Sequence, residues 1–189
     1  RKSFRREVVQ EKHAHDYVSY VDKASEKKVV SALRKLLPEA GFIAEEGSAA
    51  YSDETYCWVV DPLDGTTNYI HDNAPYCVSI ALRDKQSLLL GVVYEPCRDE
   101  CFYAWKGGGA YVNGERLRVS LVSELKDAFV VTELPYNFEQ YARTGEHLIH
   151  ELYGKVAGIR MNGSAALALC YVAAGRFDAW LEAFFGKGD

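Results

Sequence analysis

An apolar run that ends in carboxylates is the feature that most limits how this chain can fold. Residues 58–69 read WVVDPLDGTTNY, in which the apolar run meets Asp61 and a second acid, Asp64, follows three positions later. Pro62 fixes φ and has no N–H to donate, so we expect the chain to turn sharply after Asp61. Charged side chains at the end of an apolar strand are either poorly packed or part of a binding site.

A second apolar stretch ends in the same way. Residues 41–46 read GFIAEE, a short predicted strand that closes on Glu45 and Glu46. With Asp61 and Asp64, these side chains would place four carboxylates at neighbouring strand ends, where they repel one another without a counter-charge. Mg²⁺ supplies that charge, because it prefers carboxylate and carbonyl oxygens in octahedral geometry. The pattern therefore predicts a magnesium site.

The residues after Asp64 indicate an anion-binding turn beside this site. Gly65 and Thr66 stand at a predicted helix start, where backbone amides can hold a phosphate. The sharp turn also lets the carbonyl of Leu63 point the same way as the carboxylates. Acidic metal ligands beside an anion-binding turn indicate metal-dependent phosphoryl chemistry. Taken singly, each feature has a simpler explanation: a turn for Asp-Gly, a solvated face for Glu-Glu, and a helix cap for Asp22.

Composition indicates a globular protein and limits the classes of partner that are expected for it. Of its 189 residues, 48% are hydrophobic and 26% are charged, a balance that suits a packed core. The net charge of −5 gives no reason to expect nucleic acid, and an acidic protein with an anionic substrate needs a cation between them. No apolar run approaches the ~20 residues that span a bilayer, so no membrane partner is expected. Five cysteines, an odd and widely spaced set, do not fit a disulfide framework and indicate the reducing cytoplasm.

The order of predicted elements indicates an α/β fold with two parts. A helix over residues 19–37 precedes the acidic strand ends, and residues 76–119 have the pattern of an antiparallel meander with an Asn-Gly hairpin. Beyond these, strands alternate with helices. We expect a first part, residues 1–120, with the metal site and a sheet that is antiparallel from residue 41. The second part, residues 121–189, would have its own sheet.

The acidic residues and their order resemble one known family. Asp22, the Glu45-Glu46 pair and the octet DPLDGTTN at residues 61–68 follow the pattern of the inositol monophosphatase family, part of a Mg²⁺-dependent, lithium-sensitive phosphatase superfamily. The segments VSIAL, GVVYEP and GGGAYVNGERLRVS resemble its central strands and hairpin. IRMNGSAALALCYVAAGRFDAWLE resembles the approach to its last metal ligand. The resemblance covers nearly the whole chain and implies a layered αβαβα sandwich of the sugar-phosphatase type.

The resemblance also implies roles for individual residues, with two or three Mg²⁺ ions bound and lithium as an inhibitor. The implied metal ligands are Glu45, Asp61 and the Leu63 carbonyl for the first ion, Asp61, Asp64 and Asp189 for the second, and Glu46, through water, for a third. The implied catalytic groups are Asp64 together with Glu45 and Thr66, which would orient and activate the attacking water. The implied substrate contacts are the Gly65 and Thr66 amides on the phosphate, and Asp64, Ala165 and Glu182 on the alcohol.

The chain departs from the family pattern near its end. The last family ligand lies in a Trp-Asp pair seven residues after the substrate-facing glutamate, which puts Asp189 at that position but Gly188 where tryptophan is expected. The family also continues beyond this point, and residues 1–10 match only the tail of its longer first helix. We therefore expect a fold that is incomplete at both ends, with Asp189 a poor, mobile ligand.

The expected function is hydrolysis of the phosphate monoester of a polyol, inositol monophosphate first, by a cytoplasmic homodimer. Fructose-1,6-bisphosphatase and nucleotide 3′-phosphatase activities are alternatives of the same class, although the Gly-Thr-Thr-Asn run favours the inositol branch. A metal-loaded dimer that regulates without catalysis is an alternative of a different class. Intact acids at Glu45, Asp61 and Asp64, with Thr66, favour the enzyme.

Overall fold

The computed structural model of the chain describes residues 9–13, 16–47, 54–134 and 138–182. The helices in these ranges are α1 (Tyr20–Leu36), α2 (Thr66–Ile70), α3 (Phe138–Leu152) and α4 (Ala165–Ala173). The strands are β1 (Val9–His13), β2 (Asp16–Ser19), β3 (Gly41–Ala44), β4 (Tyr56–Asp64), β5 (Cys77–Asp84), β6 (Leu88–Glu95), β7 (Glu100–Trp105), β8 (Gly109–Val112), β9 (Glu115–Arg116), β10 (Phe129–Glu133), β11 (Gly158–Arg160) and β12 (Ala179–Glu182). None of the described helices is long and apolar enough to cross a membrane.

Seven strands form one sheet in the order β3-β4-β5-β6-β7-β8-β9. From β4 to β9 every neighbouring pair is antiparallel, so the meander predicted for residues 76–119 is confirmed. Asn113 and Gly114 join β8 to β9 with φ values of 47° and 89°. Two successive left-handed residues are what a tight type I′ hairpin turn requires, which is why Asn-Gly marks it in the sequence.

The first pair of this sheet is parallel, so the expectation of an antiparallel sheet from residue 41 is wrong there. β3 runs alongside β4 with Gly41 opposite Cys57 and Ala44 opposite Val60. Residues 45–55 connect the two strands, about the dozen residues that a parallel crossover needs and more than a tight turn uses. Both strands therefore end at the same edge of the sheet, where the two acidic stretches lie.

A two-stranded antiparallel hairpin of β1 and β2 precedes α1. The sequence analysis expected a helix tail up to residue 10, and this is wrong for Val9 and Gln10, which belong to β1. Gln10 pairs with Val18, and β-branched residues such as Val9 and Val18 favour strands. Residues 1–8 lie outside the described ranges. The helix predicted over residues 19–37 is confirmed as α1.

The second sheet has the order β11-β10-β12 and is parallel throughout. α3 connects β10 to β11 and α4 connects β11 to β12, which confirms the predicted alternation of strands and helices. Parallel strands that are joined in this way end at one edge of the sheet. As a result Glu133 and Glu182, the last residues of β10 and β12, stand opposite each other.

α4 joins the two sheets through a shared core. Leu167, which is fully buried, belongs to one cluster with Cys77 and Phe102 of the first sheet and Val131 of the second. Burying a leucine side chain contributes about 1.5–3 kcal/mol. The position of α4 is therefore set by packing against both sheets at once.

α1 packs against the other face of the seven-stranded sheet. Its apolar residues Val30 and Leu33 form a cluster with Phe42, Trp58 and Val60. Side chains alternate between the two faces along a strand, so the face that carries Trp58 and Val60 points away from α4. The carboxyl ends of β3 and β4 thus lie between a helix on one face and a helix on the other.

Leu167→Ala should destabilise the protein by about 2–5 kcal/mol, because it leaves a cavity between the two sheets. Equilibrium unfolding in urea measures this loss. Leu169→Ala is the matched control, because it removes the same atoms from a side chain of α4 that is 42% exposed. We expect about 1 kcal/mol for the control. Equal losses in the two variants would contradict the shared core.

Candidate active site

The parallel pairing of β3 with β4 puts Glu45 beside Asp61. The Glu45 N–H donates to the Val60 carbonyl at 3.2 Å, which continues the pairing one residue past the end of β3. Asp61 is only 5% exposed, Glu45 lies at the surface, and a hydrogen bond joins their side chains. Burial first, and then the charges of Glu45 and Asp64, raise the pKa of Asp61 to about 10. Carboxyl groups this close hold either a shared proton or a cation.

A break in the strand ladder lets Asp61 and Asp64 serve one site. Residues three apart in a regular strand point to opposite faces. Here the register of β4 against β5 shifts between Asp61 and Asp64, beside Pro62, which has no N–H for the ladder. The Leu63 N–H donates to Asp61 Oδ1 at 2.9 Å and fixes the altered turn. The Asp64 charge consequently acts on Asp61.

Thr66 connects this turn to α1. Its hydroxyl lies 2.9 Å from the Leu63 carbonyl and 3.0 Å from Asp22 Oδ1, and it donates its single proton between these two acceptors. Asp22 is 3% exposed and 44 positions earlier in the chain. Asp22 is therefore more than a helix cap, because its carboxylate fixes the hydroxyl that the family resemblance places beside the attacking water.

Glu26 is a buried acid near this site that the sequence analysis missed. It is fully buried, and its Oε2 accepts the Glu46 N–H at 2.6 Å. The buried residues of α1 are Asp22, Glu26, Val30 and Leu33. Their spacing places all four on one helical face, so an acid in line with the apolar residues was the signal that could have identified Glu26.

Asp64 is held by the N-terminus of α4. Its Oδ2 accepts the Ser164 hydroxyl at 2.6 Å and the Ala166 N–H at 2.8 Å, and the Cys77 thiol lies 3.8 Å away. Ser164 is the N-cap of α4 and also accepts the Leu167 N–H. Helix N-termini stabilise negative charge, so the start of α4 is a suitable partner for the Asp64 side chain. Asp64 thereby lies at the start of α4, where Ala165 stands between Ser164 and Ala166; the substrate contacts of Asp64 and Ala165 stay predictions.

A second missed acid, Glu133, ends β10 opposite Glu182. Its Oε1 accepts the N–H groups of Asn162 and Gly163 at 2.8 and 2.9 Å. Burial raises the pKa of Glu133, and the Asp64 charge adds to the rise, against the effect of the two N–H donors. The sequence FVVTE at the end of β10 repeats the pattern of WVVD in β4, which could have identified it.

Gly65 is required by both its conformation and its surroundings. Its φ is 89°, and a Cβ there would lie 3.1 Å from the carbonyl oxygens of Gly163 and Pro75. The Gly65 and Thr66 amides stand at the start of α2, as predicted. Because α2 has only five residues, an anion there would depend on individual N–H groups more than on a helix dipole.

The expected metal ligands are only partly represented among the residues that the structure describes. In those ranges, no group of three His, Cys, Asp or Glu side chains is placed to hold a metal ion. The first expected ion has two carboxylates, Glu45 and Asp61, with the Leu63 carbonyl. The second has Asp61 and Asp64, with Asp189 outside the described ranges. Hard oxygen donors around the buried Asp61 carboxyl fit Mg²⁺.

The comparison with known proteins settles the family. The sequence pattern of the inositol monophosphatase family matches residues 1–186. The chain belongs to the inositol monophosphatase family. The resemblance stated from Asp22, the Glu45-Glu46 pair and residues 61–68 is thereby confirmed.

The relatives of the chain carry two kinds of name. The Nus factor SuhB of Escherichia coli K12 is 43% identical over 173 residues, and that of Pseudomonas aeruginosa is 47% identical over 190 residues. An inositol-1-monophosphatase of Rhizobium meliloti is 42% identical over 172 residues. These matches cover 91%, 96% and 88% of this chain, and the chain spans 65%, 68% and 63% of the relatives' lengths.

Solved structures of the family have the same fold. The extragenic suppressor protein suhB of Bartonella henselae is 39% identical with a TM-score of 0.91, over 96% of this chain and 70% of that chain. An IMPase of Thermotoga maritima is 35% identical with a TM-score of 0.83, over 92% of this chain and 66% of that chain. The expected fold class, a layered sandwich of the sugar-phosphatase type, is confirmed.

Without divalent metal, Asp61→Asn should be more stable than wild type at about pH 8, and the difference should grow between about pH 5 and pH 9. The Asp61 pKa rises from 3.8 to about 10 on folding, so the folded state binds more protons and loses stability as pH rises through this window. The loss is at most about 1.4 kcal/mol per pH unit. Urea unfolding in EDTA measures it, because asparagine does not titrate.

Asp84→Asn is the control for this pH series. The Gln86 and Ser87 N–H groups lower the pKa of Asp84, so its charge is constant across the same window. Its stability difference from wild type should therefore stay flat. A flat difference for Asp61→Asn as well would contradict the raised pKa.

Proposed function

We propose that this chain forms the catalytic core of a Mg²⁺-dependent phosphatase that hydrolyses the phosphate monoester of a polyol, with inositol monophosphate as the first substrate to test. The observation that carries the proposal is the buried Asp61 carboxyl, which is hydrogen-bonded to Glu45 and lies close enough to Glu45 and Asp64 for their charges to raise its pKa. Membership of the inositol monophosphatase family supports the same chemistry. So does an IMPase/NADP phosphatase complexed with Mg²⁺ and phosphate, which is 26% identical with a TM-score of 0.78.

The proposed metal ligands are divided between two ions. Glu45, Asp61 and the Leu63 carbonyl would hold the first; the carbonyl has a second lone pair beyond the one that Thr66 uses. Asp61, Asp64 and Asp189 would hold the second, and Glu46 would assist a third ion through water. Bound Mg²⁺ supplies a water of lowered pKa and a positive charge for the departing alkoxide. A staphylococcal IMPase soaked in LiCl, 26% identical, supports lithium as the inhibitor to test.

Thr66 and Glu45 would prepare the attacking water. The Thr66 hydroxyl proton is directed at Asp22 and Leu63, so its oxygen presents lone pairs that can accept from water. Glu45 lies at the surface end of the carboxyl pair, where it can take the water's proton. The Gly65 and Thr66 amides would hold the phosphate oxygens. A general base that is positioned in this way typically raises the reaction rate by about 10²–10⁴-fold.

A polyol fits the other side of the site, because its hydroxyls donate to carboxylates. Asp64, Ala165 and Glu182 are the proposed contacts, and Glu133 stands opposite Glu182 at the same edge. Carboxylates accept hydrogen bonds and donate none at neutral pH, so a ligand rich in hydroxyl donors is favoured over one rich in acceptors.

The name Nus factor SuhB on several relatives favours a second candidate, a regulatory role that uses metal binding without turnover. Fructose-1,6-bisphosphate and nucleotide 3′-phosphates are alternative substrates within the leading proposal. We also propose a cytoplasmic homodimer that acts on a small-molecule ester without nucleic acid or membrane.

A panel of phosphate esters tests the leading proposal. With Mg²⁺, the full chain should release phosphate from inositol monophosphate, and Asp64→Asn should lower kcat by at least ~100-fold, about 2.7 kcal/mol. Asparagine keeps the acceptor for Ser164 and Ala166 but removes the charge that the second ion needs. Wild-type kcat in Asp64→Asn would contradict the two-ion assignment. Mg²⁺ binding without turnover of any ester would favour the regulatory candidate.

Thr66→Val and Thr66→Ser separate the hydroxyl from the shape of the side chain. Thr66→Val keeps the volume and loses the hydroxyl, so kcat should fall by about 10²–10³-fold, the range seen for loss of one oriented hydrogen-bonding group. The Mg²⁺ concentration at half-maximal rate should change little. Thr66→Ser retains the hydroxyl and should keep kcat within about tenfold of wild type. If both variants lost the same activity, the water-orienting role would be wrong.

A further inference from the structure

We infer that Glu133 is a positioning residue: together with Asn68 it holds the turn at residues 162–163, and that turn fixes the Asp64 carboxylate for metal binding. The metal-binding role of Asp64 rests on the proposed function, whereas the contacts of Glu133 are structural. Neither the family's implied ligand set nor its implied substrate contacts include Glu133.

Glu133 holds the nitrogen side of the 162–163 turn. One oxygen, Oε1, bridges the successive N–H groups of Asn162 and Gly163 at 2.8 and 2.9 Å. A single acceptor for two neighbouring amides fixes the orientation of the peptide between them. Gly163 has a φ of 71°, which permits this arrangement without a side-chain clash.

Asn68 holds the carbonyl side of the same turn. Its Nδ2 donates to the Asn162 carbonyl and to the Pro75 carbonyl, both at 2.7 Å. A Cβ at Gly163 would lie 3.0 Å from the Asn68 amide atoms, so the side chain packs directly on the turn. Asn68 belongs to the octet that also contains Asp64, and this contact explains why that motif ends in asparagine.

The 162–163 turn continues directly into the donors that hold Asp64. Ser164 and Ala166 follow it at the start of α4 and donate to Asp64 Oδ2 at 2.6 and 2.8 Å. A shift of the turn moves both donors together, because they lie one and three residues beyond it. The carboxylate would then lose the orientation that these two donors give it. Glu133 thus acts on the metal through Asp64.

Mg²⁺ titration by calorimetry and amide hydrogen exchange together test this inference in the full chain. Glu133→Ala should weaken Mg²⁺ binding by about tenfold, the low end of the effect of groups that orient a metal ligand. In the metal-free protein it should also speed exchange of the Gly163 and Ala166 amides by at least about tenfold, because their hydrogen-bonded turn is loosened. Asn68→Ala should give both changes.

Glu133→Gln distinguishes hydrogen bonding from charge. Glutamine retains an oxygen that can accept both N–H groups, so its Mg²⁺ affinity and amide exchange should stay within about threefold of wild type. If the negative charge of Glu133 were what attracts the metal, Glu133→Gln would bind Mg²⁺ as weakly as Glu133→Ala. That result would overturn the positioning role.

Asp84→Ala is the matched control for a lost backbone acceptor. Asp84 Oδ1 accepts the Gln86 and Ser87 N–H groups, the same chemistry at the other end of the β4–β5 pairing from Asp64. This variant should leave Mg²⁺ affinity and exchange at residues 163–166 unchanged. Unchanged values in Glu133→Ala, with Mg²⁺ bound by the wild type, would overturn only the role of Glu133. A wild-type chain that bound no Mg²⁺ would overturn the proposed function and this role with it.

Discussion

Repulsion between the buried Asp61 carboxyl and its acidic neighbours Glu45 and Asp64 is the constraint on which the rest of this site depends. Parallel pairing of β3 and β4 brings Glu45 against Asp61, and the ladder break beside Pro62 adds Asp64. Without a proton or a cation this arrangement would be strongly unfavourable. The segments around these acids supply hydrogen-bond donors to them: the Leu63 N–H donates to Asp61, and the Ser164 hydroxyl and the Ala166 N–H at the start of α4 donate to Asp64.

Both sheets contribute to the position of the acidic side chains. The first sheet provides the acids, whereas Asp64 is oriented by Ser164 and Ala166 at the start of α4. α4 is itself fixed by Leu167, packed between both sheets. A change in core packing can therefore reach the acids through the start of α4. Rigid placement of α4 gives the site its precision, since hydrogen-bond geometry weakens with small displacements.

Local patterns in the sequence were sufficient for some of this architecture. The helical spacing of α1, the Asn-Gly hairpin and the acidic strand ends all predicted what the structure contains. The direction of β3 relative to β4 was not predictable, because pairing direction depends on a connection and not on periodicity. Glu26 and Glu133 were missed for a different reason: Glu26 lies on the apolar face of α1 and Glu133 ends the buried strand β10, and both positions are typical of core residues. The catalytic and ligand roles of Glu45, Thr66 and their neighbours stay predictions.

The contact between Asp64 and Ser164 joins residues 100 positions apart, and this has a consequence for biosynthesis. A ribosome completes the acidic turn long before it makes the serine that orients it. During that interval the emerging chain has its acids but not their donors, and distant contacts of this kind form late in folding. Coordination of a divalent ion by Asp64 thus requires the complete tertiary structure, and a nascent chain that lacks Ser164 cannot orient Asp64 for it.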